Sequence, residues 1–190
     1  KNISKKTAAI FLTHAMGFLG ISKSLLDYIK KRNILLIEDV CESHGIHLNG
    51  KKGGSLGEIS NFSFYYAHHI TTIEGGMIST NSKEIDILAK MKRGHGLLRD
   101  SQDSKLIKKT KSMYKDLNSD FIFLTEGFNF RSNELSAVIG LEQIKRLNRN
   151  IKIRNVNHKL FLKNLRKDVF ISDFNLSGSS NYGLHLIMKE

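Results

Sequence analysis

The chain has 190 residues, 40% of them hydrophobic, which suffices for one domain of ordinary size with a buried core. Its one cysteine, Cys41, excludes an intramolecular disulfide and a multi-cysteine metal or iron–sulfur site within these residues. No apolar run reaches the roughly 18 residues that a membrane span requires, and no signal peptide is visible. We therefore expect a cytoplasmic protein without a membrane partner.

The formal net charge of +12 raises the possibility of nucleic-acid binding. The lysines are spread along the chain, however, and no run of Lys and Arg exceeds three residues. No zinc finger or aromatic RNA-binding signature accompanies them. We therefore interpret the charge as a solvated basic surface and expect no nucleic-acid partner.

The first part of the chain predicts a βαβ unit. Residues 8–13 form an apolar run that is typical of a buried strand. Residues 21–32 have apolar positions at helical spacing, with Ser22 as a candidate cap. A second apolar run at 34–37 ends in Glu38 and Asp39. Strand, helix and strand within about thirty residues indicate a parallel sheet.

The middle of the chain alternates loops with regular elements. Residues 45–57 are a glycine-rich loop, 59–65 and 76–80 are strand candidates, and 83–93 are an amphipathic helix. Residues 100–120 are polar and lysine-rich with little periodicity, which predicts an exposed excursion.

The last part predicts two helices, at 133–147 and 151–165, with a break around residues 148–150. The tail at 169–190 changes to strand-like pieces separated by Ser-Gly-Ser-Ser. This change in pattern suggests the start of a second domain.

Glu38 and Asp39 form the first candidate site, because they lie at the carboxyl end of a predicted parallel strand. Ligands of open parallel sheets bind outside those ends. A carboxylate there can hold a positive charge, such as a protonated pyridine nitrogen. The alternative is an ordinary cap or turn residue.

The second candidate site follows the strand candidate at 59–65 and contains a serine, paired histidines and paired glycines. Ser63 could donate to a phosphate, and His68 or His69 could move protons near neutral pH. The alternatives are a surface loop and a zinc site. Zinc is disfavoured because no third and fourth ligands stand at the usual spacing, so we expect no metal.

The third candidate site precedes the helix predicted to begin at residue 133. Asn129 and Arg131 stand before its N-terminus, where anions are favoured. The alternative is a simple cap at Ser132 or Asn133 beside a surface arginine.

The three sites in this order resemble the sugar aminotransferases and dehydratases of the DegT/DnrJ/EryC1/StrS type. The matching pieces are IEDVCESHG, NGKKGGSLGEISNFSFYYAHHITTIEGGMIST, RGHG and GFNFRSNELSAVIGLEQI. The resemblance implies an α/β fold, the aspartate aminotransferase-like large domain of pyridoxal-phosphate-dependent transferases, with a mainly parallel sheet and flanking helices. We expect residues 1–150 to be part of that domain and 151–190 to be a connecting helix and the start of the small C-terminal domain, in a chain truncated at both ends.

The resemblance also implies cofactor-binding residues for pyridoxal or pyridoxamine 5'-phosphate. Asp39 matches the aspartate that bonds the pyridine nitrogen, and Ser63 matches the serine that binds the phosphate. Glu42 stands where the family usually has a glutamine near the ring hydroxyl, which is a departure from the pattern. Asn129 matches an asparagine that reaches the phosphate in the neighbouring subunit, which implies a homodimer with shared active sites.

His68 is the main departure, because it stands where the family has the lysine that forms a Schiff base with the cofactor. Histidine cannot form that imine but can still act as a base. Paired histidines at this point are similar to the nucleotide-sugar 3-dehydratases of the family. That subgroup implies a 4-keto sugar on a nucleoside diphosphate as substrate, proton removal by His68 and loss of the C3 hydroxyl. Cys41 alone disfavours the iron–sulfur branch.

Glutamate is the amino donor that the resemblance implies, and deoxysugars of bacterial lipopolysaccharide are the implied destination. His95 and Arg131 are candidate substrate contacts, although a loop histidine without function is an open alternative for His95. Two other functions stay open. The chain could be an aminotransferase-like enzyme that tolerates histidine, or an inactive fragment or basic binding module.

Overall fold

The structure is a computed structural model, and it describes residues 2–190. Its strands are β1 (Ala9–Thr13), β2 (Leu35–Asp39), β3 (His47–Leu48), β4 (Lys51–Lys52), β5 (Ile59–Ser63) and β6 (Gly76–Thr80). Its helices are α1 (Lys23–Lys31), α2 (Lys83–Arg93), α3 (Ser104–Met113) and α4 (Glu134–Asn164). The chain divides into two compact units: the first runs to Ser79 and resumes at Glu134–Glu190, and the second is Thr80–Asn133.

The main sheet has four strands in the order β1-β2-β5-β6. The first three are parallel, and their register pairs Thr13 with Asp39 and Asp39 with Asn61. The parallel sheet with flanking helices that the sequence predicts is therefore present. The carboxyl ends of β1, β2 and β5 consequently meet at one edge, where the predicted cofactor residues of the first two sites begin.

The predicted βαβ unit is confirmed as β1, α1 and β2. Ser22 caps α1, since its hydroxyl accepts a hydrogen bond of 3.2 Å from the amide of Leu25. Leu26 and Ile29 lie on the buried face of α1. They pack in one apolar cluster with Ile21, Ile34, Leu36 and Leu56. This cluster supports one face of the sheet and leaves the carboxyl ends of the strands free for polar residues.

The predicted break at residues 148–150 is wrong, because α4 is continuous from Glu134 to Asn164. Asn148 and Asn150 have only moderately lower helix propensity than alanine, and the chain has no proline to interrupt the helix. The continuous helix brings Ile151 against the loop after β2, where a Cβ on Gly45 would collide with its side chain.

The predicted exposed excursion at residues 100–120 is also partly wrong, because it contains α3. Asp103 caps this helix by accepting a 2.7 Å hydrogen bond from the amide of Leu106, and Lys83 forms an ion pair with the same carboxylate. In the described tail, residues 169–190 contain one isolated bridge, between Phe170 and Met188, in place of the predicted strand-like pieces.

The predicted domain boundary at residue 150 stays a prediction. The division into compact units follows different limits, since it groups α4 and the tail with the first unit. Within residues 2–190, the structure has no helix with the length and apolar character that crossing a membrane would require.

Candidate active site

A row of polar side chains crosses the carboxyl edge of the sheet. Thr13, Asp39 and Asn61 are paired in register on three adjacent strands, so their side chains share one face. Ser63 lies two residues beyond Asn61 on β5 and shares that face. The structure therefore brings the predicted residues Asp39 and Ser63 to the same edge and face of the sheet.

The carboxylate of Asp39 is held from one side. Its Oδ1 accepts a hydrogen bond of 3.1 Å from the Cys41 amide and one of 3.0 Å from Nδ2 of Asn61. Its Oδ2 has a longer contact, 3.5 Å, with the hydroxyl of Thr13. Burial raises the pKa of Asp39, but its hydrogen bonds with Cys41, Asn61 and Thr13 outweigh burial and hold the pKa below its usual value. Asp39 is thus an ionised group with one oxygen available to a cationic partner.

The adjacent carboxylate, Glu38, is fully buried and faces the opposite side of the strand. It accepts hydrogen bonds of 2.8 Å from the amides of Gly54, Leu56 and Gly57, and one of 3.1 Å from Nε2 of His14. Burial raises the pKa of Glu38, but these hydrogen bonds together have the larger effect and hold the pKa below its usual value. Glu38 therefore holds the glycine-rich loop against the sheet.

Glu42 and Ser63 also have defined contacts. A carboxylate oxygen of Glu42 accepts a 2.8 Å hydrogen bond from the amide of Met16, in the turn after β1. The hydroxyl oxygen of Ser63 accepts one of 3.2 Å from the amide of Tyr65, which leaves the hydroxyl hydrogen of Ser63 to be donated. A serine so placed can donate to an anion such as a phosphate.

His68 and His69 have different environments, although they are adjacent. The ring of His68 is half-buried, with Nδ1 as its enclosed nitrogen and the Tyr182 ring centroid 5.7 Å away. His69 is 4% exposed, and its Nε2 donates a 2.7 Å hydrogen bond to the carbonyl of Ser180. Burial lowers the pKa of His69. Of the pair, only His68 has a ring that is open enough to meet a bound molecule.

The other predicted residues, His95, Asn129 and Arg131, lie in the second unit, and all three are exposed. An antiparallel bridge joins Gly94 to Asn129, and the amide of His95 donates a 2.8 Å hydrogen bond to the carbonyl of Phe128. The structure therefore brings the RGHG and GFNFR segments together within this unit. His95 has a positive φ of 65°, which positions its side chain at a sharp turn of the backbone.

Three residues that contact the predicted site were missed from sequence. Asn61 had a detectable signal, since it precedes Ser63 by two residues and faces the same way. His44 lies in the matching segment at 37–45 but gives no local pattern. Tyr182 gives no sequence signal, since it lies in the distant tail. Its ring centroid is 5.7 Å from that of His68 and 5.9 Å from that of His69.

The residues at the sheet edge fit pyridoxal phosphate in their chemistry. An ionised carboxylate with a free oxygen suits a protonated ring nitrogen, and a free serine O–H suits a phosphate. Within residues 2–190 no group of three or more His, Cys, Asp and Glu could hold a metal ion, and the sequence prediction on metals stays a prediction. A cavity of about 640 Å³ lies elsewhere, beside α4 and the tail, with Lys159, Lys163 and Lys167 in its lining.

Comparison with known proteins gives consistent matches along the chain. Residues 1–188 match the DegT/DnrJ/EryC1/StrS aminotransferase family. The GDP-4-keto-6-deoxy-D-mannose 3-dehydratase of Yersinia pseudotuberculosis is 33% identical over 189 residues, which are 99% of this chain and 48% of that protein. The chain therefore spans about half the length of the curated relative.

Solved structures agree with these matches. The E. coli GDP-4-keto-6-deoxy-D-mannose-3-dehydratase with bound hydrated PLP has a TM-score of 0.86 at 32% identity. The match covers 100% of this chain and 49% of the E. coli chain. A GDP-4-keto-6-deoxymannose-3-dehydratase with a trapped PLP-glutamate geminal diamine has a TM-score of 0.83 at 30% identity, with 100% and 49% covered. The predicted α/β fold of the pyridoxal-phosphate-dependent aminotransferases is thus confirmed.

Proposed function

We propose, on the premise that this chain belongs to the DegT/DnrJ/EryC1/StrS aminotransferase family, that the protein dehydrates a nucleotide-linked 4-keto sugar at C3 with a pyridoxal-type cofactor. The observation that carries the proposal is a half-buried imidazole, His68, at the position of the family's Schiff-base lysine. A histidine there can exchange protons but cannot hold the cofactor covalently. The similarity to two 3-dehydratase structures supports the same outcome.

The sheet edge supplies the cofactor contacts in this proposal. When bound, the cofactor would supply an electron-withdrawing ring that makes the C–H of its own amine-bearing carbon acidic and so allows the C3 hydroxyl of the attached sugar to leave. The Oδ2 atom of Asp39 accepts the ring N–H, and the Ser63 hydroxyl donates to the phosphate. Glu42 lies near the ring hydroxyl. Its carboxylate is fixed by the Met16 amide. Toward the ring hydroxyl it can therefore only accept a hydrogen bond, whereas a glutamine could also donate one.

His68 has the proton-transfer role. With the cofactor bound, Nε2 of His68 would accept a proton from the carbon that carries the cofactor's amine, and the imidazolium would return it to the C3 hydroxyl, which leaves as water. The second histidine, His69, has no such role in the proposal, because its Nε2 already donates to the Ser180 carbonyl. Glutamate restores the aminated cofactor, as the glutamate adduct in a related 3-dehydratase suggests.

The substrate contacts and the homodimer are further parts of the proposal. His95 and Arg131 contact the nucleotide sugar, and Asn129 reaches the cofactor phosphate of the neighbouring subunit. The helix α4 supports a homodimer, since Leu135, Val138 and Leu141 are 78%, 61% and 65% exposed on it. Apolar side chains in such a row are typical of a surface that another subunit covers. A net charge of +12 favours capture of an anionic nucleotide sugar.

The test is product analysis with the protein as its gene encodes it. The protein is incubated with pyridoxal phosphate, glutamate and a nucleotide-linked 4-keto-6-deoxy sugar, and the products are identified by mass spectrometry and NMR. We expect a 3-deoxy-4-keto sugar, conversion of glutamate to 2-oxoglutarate, and release of ammonia that carries the amino group taken from glutamate. A sugar that gains an amino group and keeps its C3 hydroxyl would show an aminotransferase and contradict the proposal.

Two variants make this test specific to the proposed base. His68→Ala should lower the dehydration rate by about a hundredfold or more, which is the usual contribution of a general base. His47→Ala is the matched control, because His47 is an exposed histidine on β3 of the same unit. Equal activity of the His68 variant and the control would refute the role of His68.

A further inference from the structure

Residues 179–182 of the tail, which we call the tail strap, are buried although they belong to no helix or strand. Ser179, Ser180 and Asn181 are 7%, 0% and 5% exposed. Buried backbone groups outside regular elements need hydrogen-bond partners from other parts of the chain. In the tail strap these partners come from two sides, the turn after β1 and the helix α4.

The turn after β1 holds the tail strap from one side. The amide of Ser180 donates a 2.8 Å hydrogen bond to the carbonyl of Gly17, and the amide of Tyr182 donates one of 3.2 Å to the carbonyl of Met16. Gly17 has a φ of 86°, and a Cβ at this position would collide with the Ser180 carbonyl and the Tyr182 amide. This close approach of turn and strap therefore requires glycine at position 17.

The helix α4 holds the tail strap from the other side. Asn155 makes two hydrogen bonds of 2.8 Å, because its Nδ2 donates to the carbonyl of Ser179 and its Oδ1 accepts from the amide of Asn181. Nη1 of Arg154 donates a further 2.8 Å hydrogen bond to the carbonyl of Tyr182. Observed hydrogen bonds from two elements thus fix the backbone that carries the Tyr182 side chain.

The ring of Tyr182 packs on the ring of His68. Their centroids are 5.7 Å apart with an interplanar angle of 47°, and the Tyr65 ring lies 5.9 Å from His68 in a T-shaped arrangement. Both separations are within the range of aromatic packing. The amide of His68 also donates a 3.1 Å hydrogen bond to the carbonyl of Tyr65. Two ring neighbours and a fixed backbone restrict the rotation of the His68 imidazole, whose Nδ1 is the enclosed nitrogen.

We propose that Tyr182 is a positioning residue for His68, whose ring the tail strap holds in the orientation that presents Nε2 to the substrate. This inference rests on the proposed function in one respect, the use of His68 as the base. Proton transfer requires accurate placement of the base, so an imidazole that turns freely reacts more slowly. The contact is made by the rings, and we therefore expect phenylalanine to replace Tyr182.

The first test is the reactivity of His68 with diethyl pyrocarbonate, in the protein as its gene encodes it and without added substrate or cofactor. Peptide mass spectrometry follows the modification, with the exposed His47 as the reference within the same chain. We expect wild-type His68 to react more slowly than His47, and Tyr182→Ala to raise the rate of His68 several-fold. Tyr182→Phe should keep the wild-type rate. A wild-type His68 as reactive as His47 would overturn the proposal, whether or not either variant folds.

The second test releases the tail strap without altering either ring. Asn155→Ala removes both hydrogen bonds of Asn155 with the strap, so it should raise the reactivity of His68 in the same direction as Tyr182→Ala. Asn157→Ala is the matched control, since Asn157 is an exposed asparagine on the same helix. Equal effects of the two asparagine variants, or no effect of Asn155→Ala, would refute the role of the strap.

Activity then separates this inference from the proposed function. The dehydration kcat of Tyr182→Ala should fall by about tenfold or more with little change in KM, and that of Tyr182→Phe should stay within a few-fold of wild type. A His68 reactivity that depends on Tyr182, in a protein that dehydrates no sugar, would support the packing contact and refute the function. A protein that dehydrates the sugar with an unchanged kcat in Tyr182→Ala would refute the positioning role alone.

Discussion

Replacing Asn61 by leucine should weaken cofactor binding through Asp39, without touching the cofactor itself. The amide nitrogen of Asn61 lies 3.0 Å from Oδ1 of Asp39, and this oxygen has one other donor, the Cys41 amide. Hydrogen bonds to a charged group contribute about 1.5–3 kcal/mol. Because Asp39 is only half-buried, we discount this value to about 1–2 kcal/mol for solvent screening. In the variant the freed carboxylate must be oriented when the cofactor binds, and a cost of that size corresponds to about a tenfold higher Kd for pyridoxal phosphate.

The assay is spectrophotometric titration of the protein with pyridoxal phosphate at pH 7.5. Asn157→Leu is the matched control, since Asn157 is an exposed asparagine on α4. The same substitution is then made in an Asp39→Asn background, where Asn61 no longer faces a charge and should matter little. An equal loss of affinity in both backgrounds, or none in the wild-type background, would refute the argument that Asn61 acts through Asp39.

The pH dependence of cofactor binding gives a second view of the same contact. The pKa of Asp39 lies below its usual value of 3.8, so its ionised form, and the affinity that depends on it, persists above that value. Affinity is lost as the pH falls through the lowered pKa. Without the Asn61 hydrogen bond the pKa rises, so the loss should begin at a higher pH in Asn61→Leu than in wild type. Superimposable acid limbs would contradict this reasoning.

Three further predictions concern neighbouring groups. Glu38→Gln should lower the free energy of unfolding by about 2–4 kcal/mol. The reason is that a side-chain NH₂ group then replaces a carboxylate oxygen that accepts two hydrogen bonds. Urea denaturation measures the difference. The contribution of Glu38 is present above pH 4.5 and is lost as pH falls through its lowered pKa, so wild type should approach the variant in acid. The pKa of Cys41 is raised to about 11 by burial and by Asp39, so alkylation at pH 8 should be about a hundredfold slower than for a free thiol. Asp39→Asn should accelerate it. Ser63→Ala should raise the Kd for pyridoxal phosphate about tenfold in the same titration, with no change in the free energy of unfolding above about 0.5 kcal/mol.

The fold was predictable where local signals decide it. Helix α1 follows from its apolar spacing and the Ser22 cap, and α2 has the bounds that its pattern predicts. The prediction failed where several weak helix formers lie within a strong helix, as at Asn148 and Asn150 of α4. Helix propensity differences of a few tenths of a kcal/mol per residue do not break a helix that packing already stabilises.

The site was predictable where it follows from strand ends, but its interior was not. Asp39 and Ser63 could be placed at one edge because parallel strands end together. The different roles of Glu38 and Asp39 could not be predicted, since both residues follow the same apolar run. Alternation along a strand turns one side chain into the glycine-rich loop and the other toward Asn61, and only the tertiary structure shows which is which.

The paired histidines show why the chemistry depends on a contact that sequence patterns cannot reveal. Neither the motif nor its spacing distinguishes His68 from His69 as a proton acceptor. The distinction comes from the Ser180 carbonyl, which lies 111 positions further along the chain and accepts a hydrogen bond from Nε2–H of His69. A neutral imidazole that donates from Nε2 can accept only at Nδ1, and Nδ1 of His69 is enclosed. The tail at residues 179–182, which the sequence suggested only as the start of another domain, therefore contains the group that engages His69 and leaves His68 as the candidate base.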